Sequence, residues 1–387
     1  MANISQFVTV GFTLSKSTSL AIFFSNVGYL CTATTADFVS GYVIPDNKVI
    51  NIATIEGLKE VFKSDTQYYK DIETLLTQKG NLRPNKSGVN EVVVYVGTIA
   101  SGETYGNLVD EFIGVNADFA RLTIDSRNVS DVLEAAKKAQ ANNVRFIAQV
   151  SDTTVSSNAS NNIALQMNAL SLDLVDLDFH SDDTESLGTA DASVATQEIM
   201  GSVGDLYSQF TNVSPKKYTN TEESNFTALN VSWYTTVGFK DGGGLDNYAQ
   251  KVLLGGNTIT GEDRKRRDIR YYFDNKFKAE ALDFLTTKPA YTNGQANVLN
   301  QRLTALLIEG QNNNLIVPDS LDENGNLVKG FQIRPIYPTE LRQSDISSYN
   351  QRIFKEVGYY YDAITGRKVN IDFVIDPKDY DIAALGF

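Results

Sequence analysis

The sequence predicts a multidomain protein of the α/β and α+β classes: an α/β domain with a mixed sheet, followed by an α+β domain with a helix pair and extended terminal β-arms. Its 387 residues exceed the usual size of one domain. Residues 91–150 alternate strand and helix patterns, which favours a parallel or mixed sheet with helices on its faces. Residues 262–316 show two helical patterns, and residues 357–375 show a hairpin pattern that turns at 363–366.

The first part of the chain is interpreted element by element from its apolar spacing. Residues 18–37 are apolar but interrupted by Ser, Asn, Gly and Thr, so we expect core strands rather than a membrane helix or signal peptide. The expected helices span 54–78, 104–115, 130–143, 160–168 and 196–211, and the expected strands span 91–97, 121–125, 144–150, 170–179 and 229–239. The polar residues 215–225 are expected to form a loop.

The helix pair has the clearest apolar pattern in the chain. In the first helix the apolar residues recur every fourth position, and Pro289 ends it. Thr292 and Gln295 have capping-box spacing for the second helix, and Gly310 suits its C-terminal end. The two predicted apolar stripes are Ile269, Phe273, Phe277, Ala281 and Leu285, and Leu299, Leu303, Leu306 and Leu307.

Both ends of the chain show alternating apolar residues that are typical of strands. The N-terminal set is Val8, Val10, Phe12 and Leu14, and the C-terminal set is Val369, Ile371, Phe373 and Ile375. A polar spacer separates the N-terminal strand from the next apolar run, so this strand could pair within its own domain or reach another chain. The expected parts are an N-terminal β-arm over 1–18, an α/β domain over 19–240, a second domain over 241–355, and a C-terminal hairpin and arm over 356–387.

The net charge of −13 opposes long-range binding to nucleic acid. Against that charge stands one dense basic run, Arg264, Lys265, Arg266 and Arg267. It could be a solvated first helical turn, although cations at that end oppose the helix dipole. It could equally dock an acidic partner surface, and the sequence leaves both interpretations open.

Residues that could support catalysis or metal binding are sparse, so we expect no enzyme, no cofactor and no metal. His180 is the only histidine and lies near no nucleophile elbow, and Cys31, the only cysteine, lies in an apolar run. The glycines at 242–244 lack the lysine and hydroxyl of a phosphate-binding loop. The acidic residues over 173–183 lack the EF-hand pattern and are expected to form a solvated strand end.

The order and spacing of these elements resemble a contractile bacteriophage tail sheath protein. The resemblance rests on NISQFVTVGFTLS (3–15), on TIEGLKEVFKSDTQYYKDIETLLTQ (54–78), and on KPAYTNGQANVLNQRLTALLIEGQNNNLIVP (288–318) with its Pro-x-Tyr-Thr turn. It covers roughly residues 1–80 and 245–375. The residues after 375 are longer and more acidic than this pattern implies.

The resemblance implies a structural subunit that polymerises as stacked helical rings, six subunits per ring, around a tail tube. Val8, Val10, Phe12 and Leu14 would belong to one inter-subunit arm, and the hairpin with Val369, Ile371, Phe373 and Ile375 to an acceptor sheet or second arm. The helix pair would lie in an inner domain, with Arg264, Lys265, Arg266 and Arg267 as tube contacts, and residues 90–235 would face outward. The implied partners are the tail tube, baseplate and tail terminator proteins, without nucleic acid or membrane insertion. The implied location is the virion tail, assembled in the host cytoplasm.

Two other function classes remain open at this point. One is another tail component, such as a tube or baseplate protein. The other is an α/β hydrolase, which would need a nucleophile and a base that the sequence does not show.

Overall fold

The computed structural model describes residues 26–78, 89–116, 119–197, 208–239, 248–341 and 353–375. The chain divides into two compact units, with the boundary between Arg264 and Lys265. We call the described residues up to Arg264 the α/β unit, and those from Lys265 onward the helix-sheet unit. This boundary lies later than residue 240 because residues 248–254 form a strand of the first unit's sheet. The hairpin expected as a separate part belongs to the second unit.

The α/β unit is built on an eight-stranded mixed sheet of order β2-β3-β1-β4-β5-β6-β7-β8. Its six central strands are parallel, and β2 and β8 are antiparallel edge strands. The strands are β1 Asn26–Cys31, β2 Val49–Ile52, β3 Glu91–Val96, β4 Arg121–Ile124, β5 Arg145–Val150, β6 Val175–Phe179, β7 Ser232–Phe239 and β8 Tyr248–Leu254. The predicted mixed sheet is therefore confirmed.

Helices cover both faces of this sheet, because strand side chains alternate between two cores. In β1, Leu30 packs in one core, whereas Val27 and Tyr29 pack in the other. Residues of α3, α4, α6 and α8 contribute to the first core, and residues of α1, α2 and α7 to the second. The helices are α1 Ile55–Val61, α2 Gln67–Thr77, α3 Tyr105–Val115, α4 Val129–Ala141, α5 Thr153–Ser156, α6 Ile163–Ala169, α7 Leu187–Gln197 and α8 Asn220–Ala228.

Two local predictions in this unit differ from the structure. Of the helix predicted over 196–211, residues 198–207 lie outside the described residues and 208–211 are not helical, whereas α7 begins earlier, at Leu187. Its residues from 187 to 196 are all buried, so the helix has no amphipathic pattern to detect. The loop expected at 215–225 contains the start of α8, whose capping box joins Thr219 and Glu222 through reciprocal hydrogen bonds of 3.2 and 2.8 Å.

The helix-sheet unit packs the predicted helix pair against a three-stranded antiparallel sheet. Helix α9 begins at the unit boundary, and both apolar stripes predicted for the pair are buried. Gly310 lies inside α10 rather than at its end, and a side chain there would overlap the Phe273 ring. The elements are α9 Arg264–Thr286, α10 Asn293–Asn312, a small ribbon of β9 Ser320–Leu321 and β10 Leu327–Val328, and the sheet of β11 Phe331–Ile336, β12 Phe354–Tyr361 and β13 Lys368–Ile375.

Aromatic contacts join the sheet of this unit to α9. The ring centroids of Phe277 and Phe373 lie 5.7 Å apart, and those of Phe273 and Tyr360 lie 5.0 Å apart. These distances are typical of favourable aromatic pairs. No helix within the described ranges is both long and apolar enough to cross a membrane.

Candidate assembly surfaces

The first residue of the basic run, Arg264, is buried inside the α/β unit. Its Nη2 donates to Asp178 Oδ1 and to Ser232 Oγ, each at 3.0 Å, and its Nη1 donates to Asp191. Its Nε lies 3.5 Å from Asp176 Oδ1. The acidic surface that Arg264 binds is therefore within its own chain, and its assignment as a tube contact is corrected.

The acidic residues expected at a solvated strand end include two buried carboxylates. Asp176 and Asp178 alternate along β6 and are 1% and 0% exposed. Asp176 also accepts a hydrogen bond from buried Arg145 at 2.8 Å. Burial raises the pKa of Asp178 well above its usual value, and the charge of Asp191 adds to the rise, whereas Arg264 lowers it. The solvated interpretation of these two residues is therefore wrong, because both are buried and contact arginines distant in sequence.

The rest of the basic run belongs to the helix-sheet unit. Lys265 and Arg267 are 3% and 5% exposed. The Nε of Arg266 lies 3.3 Å from the buried Asp362 carboxylate, while its side chain keeps 20% of its surface exposed. The tube-contact assignment of Lys265, Arg266 and Arg267 stays a prediction, and Arg266 has the most exposed side chain of the three.

Strand β13 contains the predicted C-terminal arm residues, and their side chains are occupied within the unit. Ile371, Phe373 and Ile375 are at most 8% exposed, and Val369 is half-buried. These side chains make β13 part of its own core. Its residues Lys368 to Ile375 pair in antiparallel register with Tyr361 to Phe354 of β12. Among the described residues β12 is the only strand paired with β13.

A groove lies between β13 and α9. It is a cavity of about 340 Å³, lined on one side by six consecutive β13 residues from Lys368 to Phe373. On the other side lie Arg266, Arg270 and Asp274, which are spaced four residues apart on one side of α9. The N-terminal set Val8, Val10, Phe12 and Leu14 lies outside the described residues.

The histidine and cysteine are both built into the α/β core. The ring nitrogens of His180 lie 2.9 Å from the Asp182 carbonyl and 3.1 Å from the Ser214 carbonyl, and the residue is 0% exposed. Burial raises the pKa of the Cys31 thiol well above its usual value, and the nearby Asp125 carboxylate adds to the rise. Neither geometry resembles an activated nucleophile or base.

We therefore expect Cys31 to resist thiol reagents in the folded chain. A disulfide reagent at pH 8 should modify the native protein far more slowly than the protein in guanidinium, because the reactive thiolate is disfavoured and covered. A Leu170→Cys variant supplies the control, since Leu170 is 50% exposed and its replacement should react at once. Equal rates for Cys31 in native and denatured protein would contradict its burial.

The sheet order reverses between β1 and β4, which is where doubly wound sheets bind ligands. In this chain the residues that follow those strands bind each other. Asp125, directly after β4, accepts hydrogen bonds from the Thr32 N–H and hydroxyl at 3.0 and 2.9 Å. It also accepts from the Tyr105 hydroxyl at 2.9 Å. The chain's own polar groups thus satisfy this carboxylate.

A second buried carboxylate, Asp71 on α2, is satisfied in the same way. It accepts hydrogen bonds from the Tyr29 hydroxyl and the Gln67 amide, each at 2.7 Å, and from Ser186. Arg127 Nη2 lies 3.4 Å from it. Sequence reasoning missed both clusters because their members come from separate segments. Within the described ranges, no group of three or more His, Cys, Asp or Glu residues could hold a metal ion.

Comparison with solved structures identifies the fold. Over 96% of this chain and 94% of the other, the structure matches the helical sheath of the anti-feeding prophage (AFP) in its contracted state, with a TM-score of 0.56 and 10% sequence identity. The chain has the fold of the AFP sheath. It also matches a chain of the six-fold symmetrised AFP baseplate, with a TM-score of 0.55, 11% identity, and coverage of 94% and 93%. No family model matches the sequence, and no curated protein does.

Proposed function

We propose that this chain is the structural subunit of a contractile tail sheath. The observation that supports this most strongly is the match to the AFP helical sheath over 96% of the chain, which includes both units. Stacked helical rings of the subunit, six per ring, would surround a tail tube in the virion. Their contraction would drive the tube through the host envelope. Assembly would take place in the host cytoplasm, with the tail tube, baseplate and tail terminator proteins as further partners.

The edge of β13 opposite β12 is the proposed acceptor for a neighbouring subunit's arm. Residues 1–18 would supply that arm, with Val8, Val10, Phe12 and Leu14 on the face toward the acceptor core. Strand addition binds through main-chain hydrogen bonds and therefore tolerates rotation and sliding of the rest of the subunit. A ten-residue extended arm spans roughly 33 Å, which is enough to reach an adjacent subunit.

The proposed orientation places the helix-sheet unit toward the tube and residues 90–235 outward. Lys265, Arg266 and Arg267 remain the candidates for tube contact, and Arg266 keeps the most exposed surface, beside Asp362. Exposed charge pairs are individually weak. Weak contacts suit a metastable extended state that must later release the tube.

Contraction in this proposal moves the units as rigid bodies and uses no nucleotide. The sequence shows no phosphate-binding loop, and the polar groups at the sheet's switch point are bound to one another. Purified tails should contract equally with and without ATP. A strict requirement for ATP would refute this part of the proposal.

A baseplate role is the second candidate, and the match to an AFP baseplate chain favours it. The two roles differ in how many copies associate. A sheath subunit polymerises openly, whereas a baseplate component stops at a closed ring, and a hydrolase stops at a small oligomer.

Sedimentation velocity of the purified chain over increasing concentration separates these roles. The sheath proposal predicts species whose size keeps growing with concentration. A single closed oligomer at every concentration would instead favour the baseplate role or an enzyme.

A further inference from the structure

Helix α10 has an uncharged, exposed stripe opposite its buried side. Its six residues recur at alternating spacings of four and three, and all are exposed. Val298 is 39% exposed and Ile308 is 47% exposed. We call this set the α10 stripe: Gly294, Val298, Gln301, Ala305, Ile308 and Asn312.

The charged residues of α10 are not members of this stripe. Arg302 and Glu309 are its only charged residues. Arg302 binds Asp283 and lies 3.6 Å from Glu280, both on α9, and Glu309 accepts a hydrogen bond from the Tyr272 hydroxyl of α9 at 3.1 Å. Both charges thus serve the helix pair and leave the outer stripe without charge.

The α10 stripe combines three apolar residues with Gly294, Gln301 and Asn312 and contains no charged residue. The solvent side of a surface helix is normally charged or polar, and 21% of the residues in this chain are charged. The spacing of the stripe is that of a coiled-coil seam, where one helix packs against a partner surface. Val298, Ala305 and Ile308 are the apolar members that such a contact would bury.

We propose that the α10 stripe is a contact surface for a second copy of this chain. Each copy has a net charge of −13, so two copies repel each other wherever acidic surfaces meet. An uncharged stripe lets them approach without opposing like charges. This inference rests on the proposed polymeric function and adds the surface through which one of its contacts forms.

The size of the stripe indicates what kind of contact it makes. A helix of 20 residues is about 30 Å long, and a stripe about 10 Å wide covers roughly 300 Å² on each copy. A stable two-protein interface needs about 800 Å² per partner. The stripe therefore cannot hold a dimer alone, and it acts together with other contacts in a polymer.

Charge substitution tests the stripe directly in the full-length chain without tube protein. Val298→Lys and Ile308→Lys should each raise the concentration needed for polymer formation at least tenfold, because a lysine enters the contact. Leu170→Lys is the control, since it adds the same charge at an exposed leucine of the α/β unit. Thermal denaturation should show all three variants folded, because the replaced side chains are exposed.

Thiol protection provides a second measurement that does not depend on polymer yield. Cys31 is buried, so Ile308→Cys creates a single accessible thiol. Maleimide labelling of that thiol should slow at least tenfold when the chain polymerises. If polymers form but this thiol stays equally reactive, or if the stripe lysines act no more strongly than Leu170→Lys, the inference fails and the proposed function stands. If the unmodified chain forms no polymer at any concentration, both fail.

Discussion

Replacing Arg264 with methionine is expected to destabilise the α/β unit by about 3–5 kcal/mol, the usual cost of breaking a buried ion pair by removing one partner. Methionine keeps much of the side-chain volume but leaves Asp176, Asp178 and Asp191 without their shared guanidinium. Trp233, the only tryptophan, lies in this unit, and its fluorescence reports unfolding in denaturant. The midpoint of that transition should fall markedly.

Arg334→Met is the matched control for this experiment. Arg334 is 59% exposed and lies 3.7 Å from the exposed Glu340, so its loss should change stability by no more than about 0.5 kcal/mol. Similar midpoints for Arg264→Met and the wild type would show that the buried network does not stabilise the unit.

Replacing Glu356 with glutamine should change how the stability of the helix-sheet unit depends on pH. Glu356 is 0% exposed on β12 and accepts a hydrogen bond from Asn300 at 2.8 Å. Burial raises its pKa from 4.5 to about 8, and the Asn300 hydrogen bond lowers it in part. The folded state therefore holds a proton that the unfolded state releases, so Glu356 lowers stability as pH rises from 4.5 to 8.

Lys278 on α9 has the opposite effect on stability from Glu356 as the pH rises. Burial lowers its pKa to about 6, while the charge of Asp274 opposes that shift. The folded state releases this proton at a lower pH than the unfolded state, so stability rises with pH from 6 to 10.5. The two effects on the free energy of unfolding should offset each other between pH 6 and 8. That free energy should therefore fall with pH below pH 6 and rise with pH above pH 8.

In Glu356→Gln the free energy of unfolding should no longer fall with pH below pH 6. Between pH 6 and 8 it should rise with pH, because only the effect of Lys278 remains. Relative to the wild type, the free energy of unfolding of the variant should increase by up to about 1.4 kcal/mol per pH unit between roughly pH 5 and 8. The neutral amide has no proton to lose in this range and keeps the Asn300 contact. Hydrogen exchange of β12 peptides, followed by mass spectrometry across this range, reports the local stability. The exposed Glu340→Gln serves as the comparison. Parallel curves for Glu356→Gln and the wild type would contradict a protonated Glu356.

Periodic segments were predictable from the sequence because local side-chain spacing is sufficient to reveal them. The helix pair is the best example, with Thr292 accepting a hydrogen bond from the Gln295 N–H as expected for an N-cap. The parallel strands and the closing hairpin were predicted for the same reason. Helix α7 escaped prediction because burial on all sides removes periodicity, and α8 escaped because polar residues resemble a loop despite a readable capping box.

The candidate site was less predictable because its determinants are not local. Taken alone, the acidic residues of β6 predict a solvated strand end. The basic run near residue 264 predicts a solvated helical turn or a surface for a partner. Folding brings Asp178 and Arg264 within 3.0 Å, although 86 positions separate them in the chain. The position of β13 beside β12 also depends on strand order, which side-chain spacing does not specify.

The proposed sheath, with subunits linked by their N-terminal arms, can be tested by negative-stain microscopy of the intact chain beside a version lacking residues 1–15. We expect long hollow tubes from the intact chain and their loss on truncation. Tubes from both versions would keep the sheath and contradict the arm assignment. Small discrete particles from both at high concentration would contradict the sheath itself.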